Sequence, residues 1–336
     1  MLKVAINGFG RIGRAAFKVL LDKPGVEVVA INDLASAATL AHLLKYDSVY
    51  GRYAKAVGAT KDTLVIGRKK YKVFAERDPK ALPWKKLGVD IVIESTGVFT
   101  DRAGAGAHLT AGAKKVIVSA PVKDDSIKTC ALGVNAERLT KADKVISMAS
   151  CTTNCLAPVT DIIRQAFGIT KAIMTTVHSY TADQNLVDGP HRDLRRARSA
   201  ALSIIPTTTG AAIAVTKTIP ELKGNFDGLA LRVPTPVGSL CDAVYLVKKQ
   251  VTVASVNQAI SRAARQPKYK GIVAVTDEPI VSADIIGHPA SAIVDLSLTA
   301  VIGKDLVKVI SWYDNEWGYA NRLADLCVYM AKKKIL

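Results

Sequence analysis

Aromatic residues are scarce in this chain, at 6% of 336 residues, and acidic residues number only 29 against 46 lysines and arginines. There is no aromatic-studded RNA-binding motif and no zinc finger, so specific nucleic-acid recognition is not expected. The net charge of +17 draws anions, including phosphorylated substrates, and at most weak contacts to nucleic-acid phosphates. The basic residues lie scattered, at 68–72, 114–115, 248–249 and 332–334, as on a solvated surface. Cysteines number five, an odd and widely spread set, which argues against a disulfide framework and fits a reducing, cytoplasmic setting. Cys151 and Cys155 are four apart, but no CxxC pair or nearby His completes a ligand set, so no metal is expected. No apolar run reaches membrane-spanning length. The run at residues 2–6 is too short for a signal-peptide core and leads into a glycine-rich turn. No linker rich in Pro, Gly or Ser and no internal repeat divides the chain, yet its length predicts two domains.

That turn is the first positive signal. Residues 2–6 read as a buried parallel strand and lead into Gly8-Phe9-Gly10-Arg11-Ile12-Gly13, followed by a helix-favouring stretch. In such a fingerprint the first glycine allows the tight turn. The second lets backbone approach a pyrophosphate, and the third lets helix and strand pack closely. The helix N-terminus then offers free N–H groups to the phosphates. A second apolar run, residues 26–31, ends at Asn32-Asp33. Asp33 stands 20 residues after Gly13, where a carboxylate would bind the ribose hydroxyls of NAD and repel the 2′-phosphate of NADP.

Up to about residue 150, strand-like runs at 89–94, 115–119 and 144–148 alternate with helix-like stretches such as 101–111. This predicts an α/β fold with a Rossmann-type, doubly wound parallel sheet. Two of the runs lead into Ser95-Thr96-Gly97 and Ser119-Ala120-Pro121, at strand ends that would line the cofactor crevice. Beyond Cys151 the pattern changes to long strand-like runs at 171–179, 227–233, 239–247 and 304–313 with few helices. This predicts an α+β catalytic domain on a mixed or antiparallel sheet, with a final helix at 315–330. The domains are expected at 1–150, with 316–336 returning as a C-terminal helix, and at 151–315.

Ser150-Cys151-Thr152-Thr153-Asn154 is the second signal, with His178 in Thr176-Val177-His178-Ser179-Tyr180. A thiol and an imidazole are the parts of a covalent acyl-transfer site. Beside a hydride-accepting cofactor they point to aldehyde oxidation through a thioester. Ser150 reads as a helix cap, so Cys151 would feel the positive helix end, and an adjacent imidazolium would lower its pKa further. Pro158 inside that helix predicts a kink. Cys130, Cys155, Cys241 and Cys327 read as small buried hydrophobes, and His42, His108, His191 and His288 carry no assigned role.

With these motifs stand Asp193-Leu194-Arg195-Arg196-Ala197-Arg198, Pro206-Thr207-Thr208-Thr209-Gly210-Ala211-Ala212, Arg232-Val233-Pro234-Thr235-Pro236 and Trp312-Tyr313-Asp314-Asn315-Glu316-Trp317-Gly318-Tyr319. Over essentially its whole length the chain resembles the phosphorylating glyceraldehyde-3-phosphate dehydrogenases. The resemblance implies that Cys151 is the nucleophile and His178 the base, that NAD is the cofactor, and that glyceraldehyde 3-phosphate and inorganic phosphate are the substrates. It implies a homotetramer. It sets Thr181, Asp183, Arg196 and Arg232 around the substrate phosphate, with Asp183 orienting an arginine. It sets Ser150, Thr152, Thr209 and Gly210 around the attacking phosphate, and Arg232 could serve either site. For the cofactor it implies backbone contacts from Arg11 and Ile12, adenine contact by Arg77, nicotinamide contacts by Ser119 and Asn315, and further contacts from Asn32, Ser95 and Tyr319. Leu34 and Pro190 match its NAD-preferring members. The chain departs from the common pattern at Ala182, at Val237-Gly238 and in residues 123–130. The competing readings are an erythrose-4-phosphate dehydrogenase, which hydrolyses its thioester, and a nucleic-acid or surface-binding protein that keeps only the fold.

Overall fold

The Leu2–Asn7 strand is buried along almost its whole length, as an apolar run without polar alternation requires: both its faces must be covered. In the computed structural model, which describes residues 1–336, it lies inside a nine-stranded sheet. From one edge the order is Lys128–Thr129, Val145–Ser147, Lys115–Val118, Ile91–Glu94, Leu2–Asn7, Val26–Asn32, Lys69–Phe74, Thr63–Ile66, Val57–Thr60. Neighbours are parallel from the first of these to Lys69–Phe74, giving the expected doubly wound arrangement. The last two strands form an antiparallel edge that the sequence pattern did not reveal. They are short and largely solvent-facing on one side, so they lack a continuous apolar run.

A second, seven-stranded sheet has the order Ile205–Thr207, Phe226–Val233, Ile169–Ser179, Ser239–Val247, Leu306–Tyr313, Ala292–Ile302, Val273–Thr276. It is mixed, as expected: Ile169–Ser179 runs parallel to Phe226–Val233 and antiparallel to Ser239–Val247. Ser239–Val247 alternates buried and half-buried residues along its length, the mark of a sheet with one face on the core. The expected scarcity of helices here is corrected by Ala211–Thr218 and Val253–Ala264. The second of these begins with a reciprocal Thr252–Ser255 cap and buries Val256, Ile260 and Ala263. The helix Cys151–Phe167 lies against this sheet and runs through Pro158. The final helix is Trp317–Lys332, and its start is set by Asp314, whose carboxylate accepts the N–H groups of Glu316 and Trp317 at 2.9 and 2.7 Å.

Contacts divide the chain into two units. One comprises Met1–Cys130, Glu137–Ala149 and Ala320–Leu336, and the other Ala131–Ala136 with Ser150–Tyr319. The short Ala131–Ala136 piece joins the second unit because Gly133, at φ +80°, packs against Tyr269 and Ile272. No helix is long and apolar enough to cross a membrane.

Candidate active site

Ala149 adopts the left-handed region, φ 54°, which costs a residue bearing a Cβ about 1–2 kcal/mol. This bend leads the chain from the Val145–Ser147 strand into the Cys151–Phe167 helix. Ser150 caps that helix: its Oγ accepts the Thr153 N–H at 3.1 Å, and its carbonyl accepts the Asn154 N–H at 3.0 Å. Cys151 is thereby the first helical residue, at the positive end of the helix dipole. Its Sγ accepts a bond from the Thr152 N–H and lies 3.4 Å from His178 Nε2.

His178 sits near the end of the Ile169–Ser179 strand. Its Nδ1 is 2.6 Å from the Ser179 carbonyl oxygen. Arg232 Nη1, which can only donate, also lies 3.0 Å from Nδ1. The carbonyl is the nearer partner and can only accept, so the proton is placed on Nδ1, and Nε2 is the atom that takes one from sulfur. Strand register sets Arg232 level with His178. Arg232 Nη1 donates to the same carbonyl at 3.0 Å and lies 3.4 Å from Thr181 Oγ1. Burial pushes the Cys151 thiol up to about 11, opposed by the Arg232 guanidinium. Burial pushes His178 down to about 3, and here Arg232 acts in the same direction. The expected lowering of the thiol pKa is therefore corrected for a thiol beside a neutral imidazole, since loss of hydration outweighs the helix end and the guanidinium.

The groups expected to hold anions divide into two kinds. Arg196 is anchored through its whole fork: Nη1 to Asp183, Nε to Thr207 Oγ1 at 2.9 Å, and Nη2 to the Thr208 carbonyl at 3.1 Å. These use three of five donors and leave two for a ligand. Arg232 Nε is buried without a partner. Thr209 Oγ1 accepts the Ala211 N–H at 3.2 Å, so its hydroxyl proton is left to donate. Gly210 opens the Ala211–Thr218 helix with no side-chain cap. Thr152 differs: its buried hydroxyl turns to Tyr313 at 2.9 Å, and Tyr313 in turn meets Thr176 at 2.9 Å. The same hydroxyl lies 4.0 Å from Cys151 Sγ, beside the backbone N–H.

Asn315 Oδ1 accepts from Ser239 Oγ at 2.9 Å and from the Gly238 N–H at 3.2 Å. That orients the amide, so Nδ2 is its donor toward a ligand. Tyr319 is buried. Sequence reasoning missed Tyr313 and Ser239. Both stood in or beside motifs that had been singled out, but only strand pairing brings them under Thr152 and Asn315.

In the other unit the glycine turn shows a cradle. A Cβ on Gly13 would meet the Gly8 carbonyl oxygen at 2.0 Å, whereas one on Gly10 would meet nothing within 4 Å. The helix Arg11–Leu21 thus packs closely at Gly13 and stays open at Gly10, its N-cap, which has no side-chain partner. Phe9 N–H donates to Asp33 Oδ2 at 2.7 Å and Ala35 N–H to Oδ1 at 2.9 Å. A dinucleotide fits this arrangement: N–H groups at an uncapped helix end, and a fixed carboxylate at the end of the second strand. The Arg11 side chain pairs with Asp47 at 2.9 Å, leaving backbone for the phosphates. Asn32 and Ser95 act inside the protein. Asn32 bridges Asn7 and Glu76, while Ser95 Oγ donates to the carbonyls of Asn7 and Gly8 at 3.0 and 2.7 Å. Ser119 is half-buried after its strand and Arg77 is exposed.

Comparison with known proteins matches residues 2–102 to the family model "Glyceraldehyde 3-phosphate dehydrogenase, NAD binding domain" and residues 150–315 to "Glyceraldehyde 3-phosphate dehydrogenase, C-terminal domain". The chain is 56% identical over 333 residues to glyceraldehyde-3-phosphate dehydrogenase of Geobacillus stearothermophilus, covering 99% of each chain. It is 53% identical over 334 residues to that of Streptomyces coelicolor, again covering 99% of each. With that of Mycobacterium tuberculosis the identity is 54% over 338 residues, covering 98% of this chain and 99% of the relative.

Proposed function

Because the chain belongs to the glyceraldehyde 3-phosphate dehydrogenase family, we propose that Cys151 and His178 carry out the NAD-dependent, phosphorylating oxidation of D-glyceraldehyde 3-phosphate to 1,3-bisphosphoglycerate. The supporting observation is the 3.4 Å approach of Cys151 Sγ to His178 Nε2 at a helix N-terminus.

His178 Nε2 takes the thiol proton, and Sγ adds to the aldehyde carbon. The aldehyde oxygen gathers negative charge beside the Cys151 backbone N–H and takes the proton back from His178, leaving a hemithioacetal. NAD, when bound, supplies the acceptor for the hydride. His178 removes the hydroxyl proton as the carbon is oxidised, leaving a thioester on Cys151. Inorganic phosphate then attacks the thioester carbon, the C–S bond breaks, and the thiolate returns.

In this reading Arg196, oriented by Asp183, joins Arg232 and Thr181 at the substrate phosphate, since guanidinium forks match phosphate oxygens. Ser150, Thr152, Thr209 and Gly210 receive the attacking phosphate. The Gly8–Gly13 turn holds the pyrophosphate of NAD and Asp33 its ribose. Arg77 lies at the adenine end, while Ser119 and Asn315 Nδ2 lie at the nicotinamide. Residues 1–150 with 316–336 serve as the NAD domain and 151–315 as the catalytic domain, apart from Ala131–Ala136, Ser150 and residues 316–319, which pack with the second unit. The intact thiol–imidazole pair disfavours a binding protein that keeps only the fold.

The test is NADH formation with and without phosphate. Without it, turnover of glyceraldehyde 3-phosphate should slow sharply after the first cycle, and arsenate, similar in shape and charge, should restore it. Steady turnover of erythrose 4-phosphate, faster and indifferent to phosphate, would establish the hydrolytic reading instead.

We also propose a cytoplasmic homotetramer. Five unpaired cysteines support the reducing compartment. Leu194 and Leu202, 81% and 85% exposed, with Leu186, Val187 and Ile204 on the same 180–206 stretch, support burial against further copies. Light scattering that gives a monomer at micromolar concentration would overturn it.

A further inference from the structure

Behind the glycine turn lies a buried polar relay that the reaction does not use. Asn7, Glu94 and His108 are all buried, and Trp84 is buried with them. Trp84 Nε1–H is 3.0 Å from His108 Nδ1. An indole N–H can only donate, so Nδ1 accepts and the ring proton is on Nε2. Nε2 meets Glu94 Oε2 at 2.9 Å, and Asn7 Nδ2 donates to the same oxygen at 2.5 Å. Oε1 accepts from the Thr96 backbone N–H at 2.8 Å and its hydroxyl at 2.5 Å. Every neighbour donates, so the group is an acceptor-only carboxylate, and no lysine or arginine is paired with it.

A carboxylate buried without a cation is costly unless its lone pairs are all used. Here they are, and the two oxygens pull on two particular segments. Oε2 holds Asn7, which precedes Gly8. Oε1 holds Thr96, whose backbone N a Cβ on Gly8 would meet at 2.6 Å. Glu94 thus sets the spacing of the two segments whose close approach makes the turn. Asn7 Oδ1 passes the restraint on to Asn32 at 2.7 Å, the residue before Asp33. One carboxylate therefore links the pyrophosphate turn to the ribose acid. Its negative charge cannot attract a dinucleotide, so its contribution is geometric.

We infer that Glu94, oriented by the Trp84–His108 relay, is the positioning residue of the NAD-binding turn. The inference rests on NAD occupying that turn. In Glu94→Gln an amide N–H replaces an acceptor facing either Thr96 or both Asn7 and His108, so donors oppose donors. NAD affinity measured by calorimetry should weaken at least about tenfold. KM for NAD should rise in parallel, with KM for glyceraldehyde 3-phosphate within about twofold of wild type. His108→Leu, which removes one donor, should weaken NAD binding in the same way and shift the Trp84 indole N–H resonance. His108→Gln, which can still donate to Glu94 and accept from Trp84, should restore both. A merely structural role would lower the folded fraction and leave NAD affinity of the folded protein unchanged. Should Glu94→Gln fail to fold, His108→Leu and Thr96→Val carry the same comparison. Wild-type NAD affinity in Glu94→Gln and His108→Leu overturns the inference while the cofactor reading stands. Failure of the wild type itself to bind NAD overturns both.

Discussion

Replacing His178 by Asn tests how Cys151 becomes a nucleophile. Moving the thiol proton onto the imidazole, from about 11 to about 3, spans about eight pH units, a cost of roughly 11 kcal/mol. Those values describe each group beside a neutral partner. Opposite charges 3.4 Å apart recover roughly 5 kcal/mol at an effective dielectric constant of ~20 and roughly 10 kcal/mol at ~10. Break-even falls near ~9, between dry protein and a protein surface. The helix N-terminus adds about 0.3–2 kcal/mol. Solvent reaches part of Cys151, unlike the other four cysteines, which reduces the burial cost. At ~20 the sum stays short of the cost, so a resting thiolate–imidazolium pair, formed when the two groups charge at once, requires a local dielectric constant near break-even or below, which is the state the assay tests for. The assay is the rate of iodoacetamide alkylation against pH, with the labelled residue identified by mass spectrometry. Wild type should show a reactive shoulder below neutrality. His178→Asn should lose it, react at least about tenfold more slowly at pH 7, and rise about tenfold per pH unit. Superimposable profiles would refute the pairing.

Cys151→Ser should retain NAD binding by calorimetry and lose nearly all turnover, since an alcohol is a far weaker nucleophile at neutral pH; substantial activity would remove Cys151 from the mechanism. Wild type should prefer NAD over NADP by at least about tenfold, or about 1.4 kcal/mol, and Asp33→Gly should narrow the gap in kcat/KM; equal wild-type efficiency with both would contradict the role of Asp33. Gly13→Ala puts a methyl 2.0 Å from the Gly8 oxygen and should weaken NAD binding by at least about a hundredfold; unchanged affinity would mean the turn shifts freely. Asp183→Asn loosens the hold on Nη1 of Arg196 and should raise KM for glyceraldehyde 3-phosphate severalfold without changing that for NAD; a change confined to NAD would remove both from the substrate phosphate.

Much of the architecture was legible because its signals are local. The Leu2–Asn7 run, the glycine triplet and Asp33 lie within one strand–helix–strand unit, and Gly13 answers a steric demand of Gly8 close by in the chain. Ser150 was legible as a cap for the same reason, as its partners are three and four residues away. The antiparallel edge at 57–66 was not, since short, half-solvated strands carry no strong period.

The sequence by itself determined the fold class, the nucleotide turn and the pairing of a cysteine with one histidine out of five, because these rest on spacing, turn chemistry and motif. Tertiary structure decided the rest. It sent the Thr152 hydroxyl inward to Tyr313, anchored Arg196 on Asp183, put Arg232 level with His178, and gave the unassigned His108 a carboxylate partner. Each of these joins residues from separate segments, and strand register and burial decide which side chains meet. Burial likewise reversed the expected direction of the thiol pKa beside a neutral imidazole, because loss of hydration depends on what surrounds an atom and not on its neighbours in the chain.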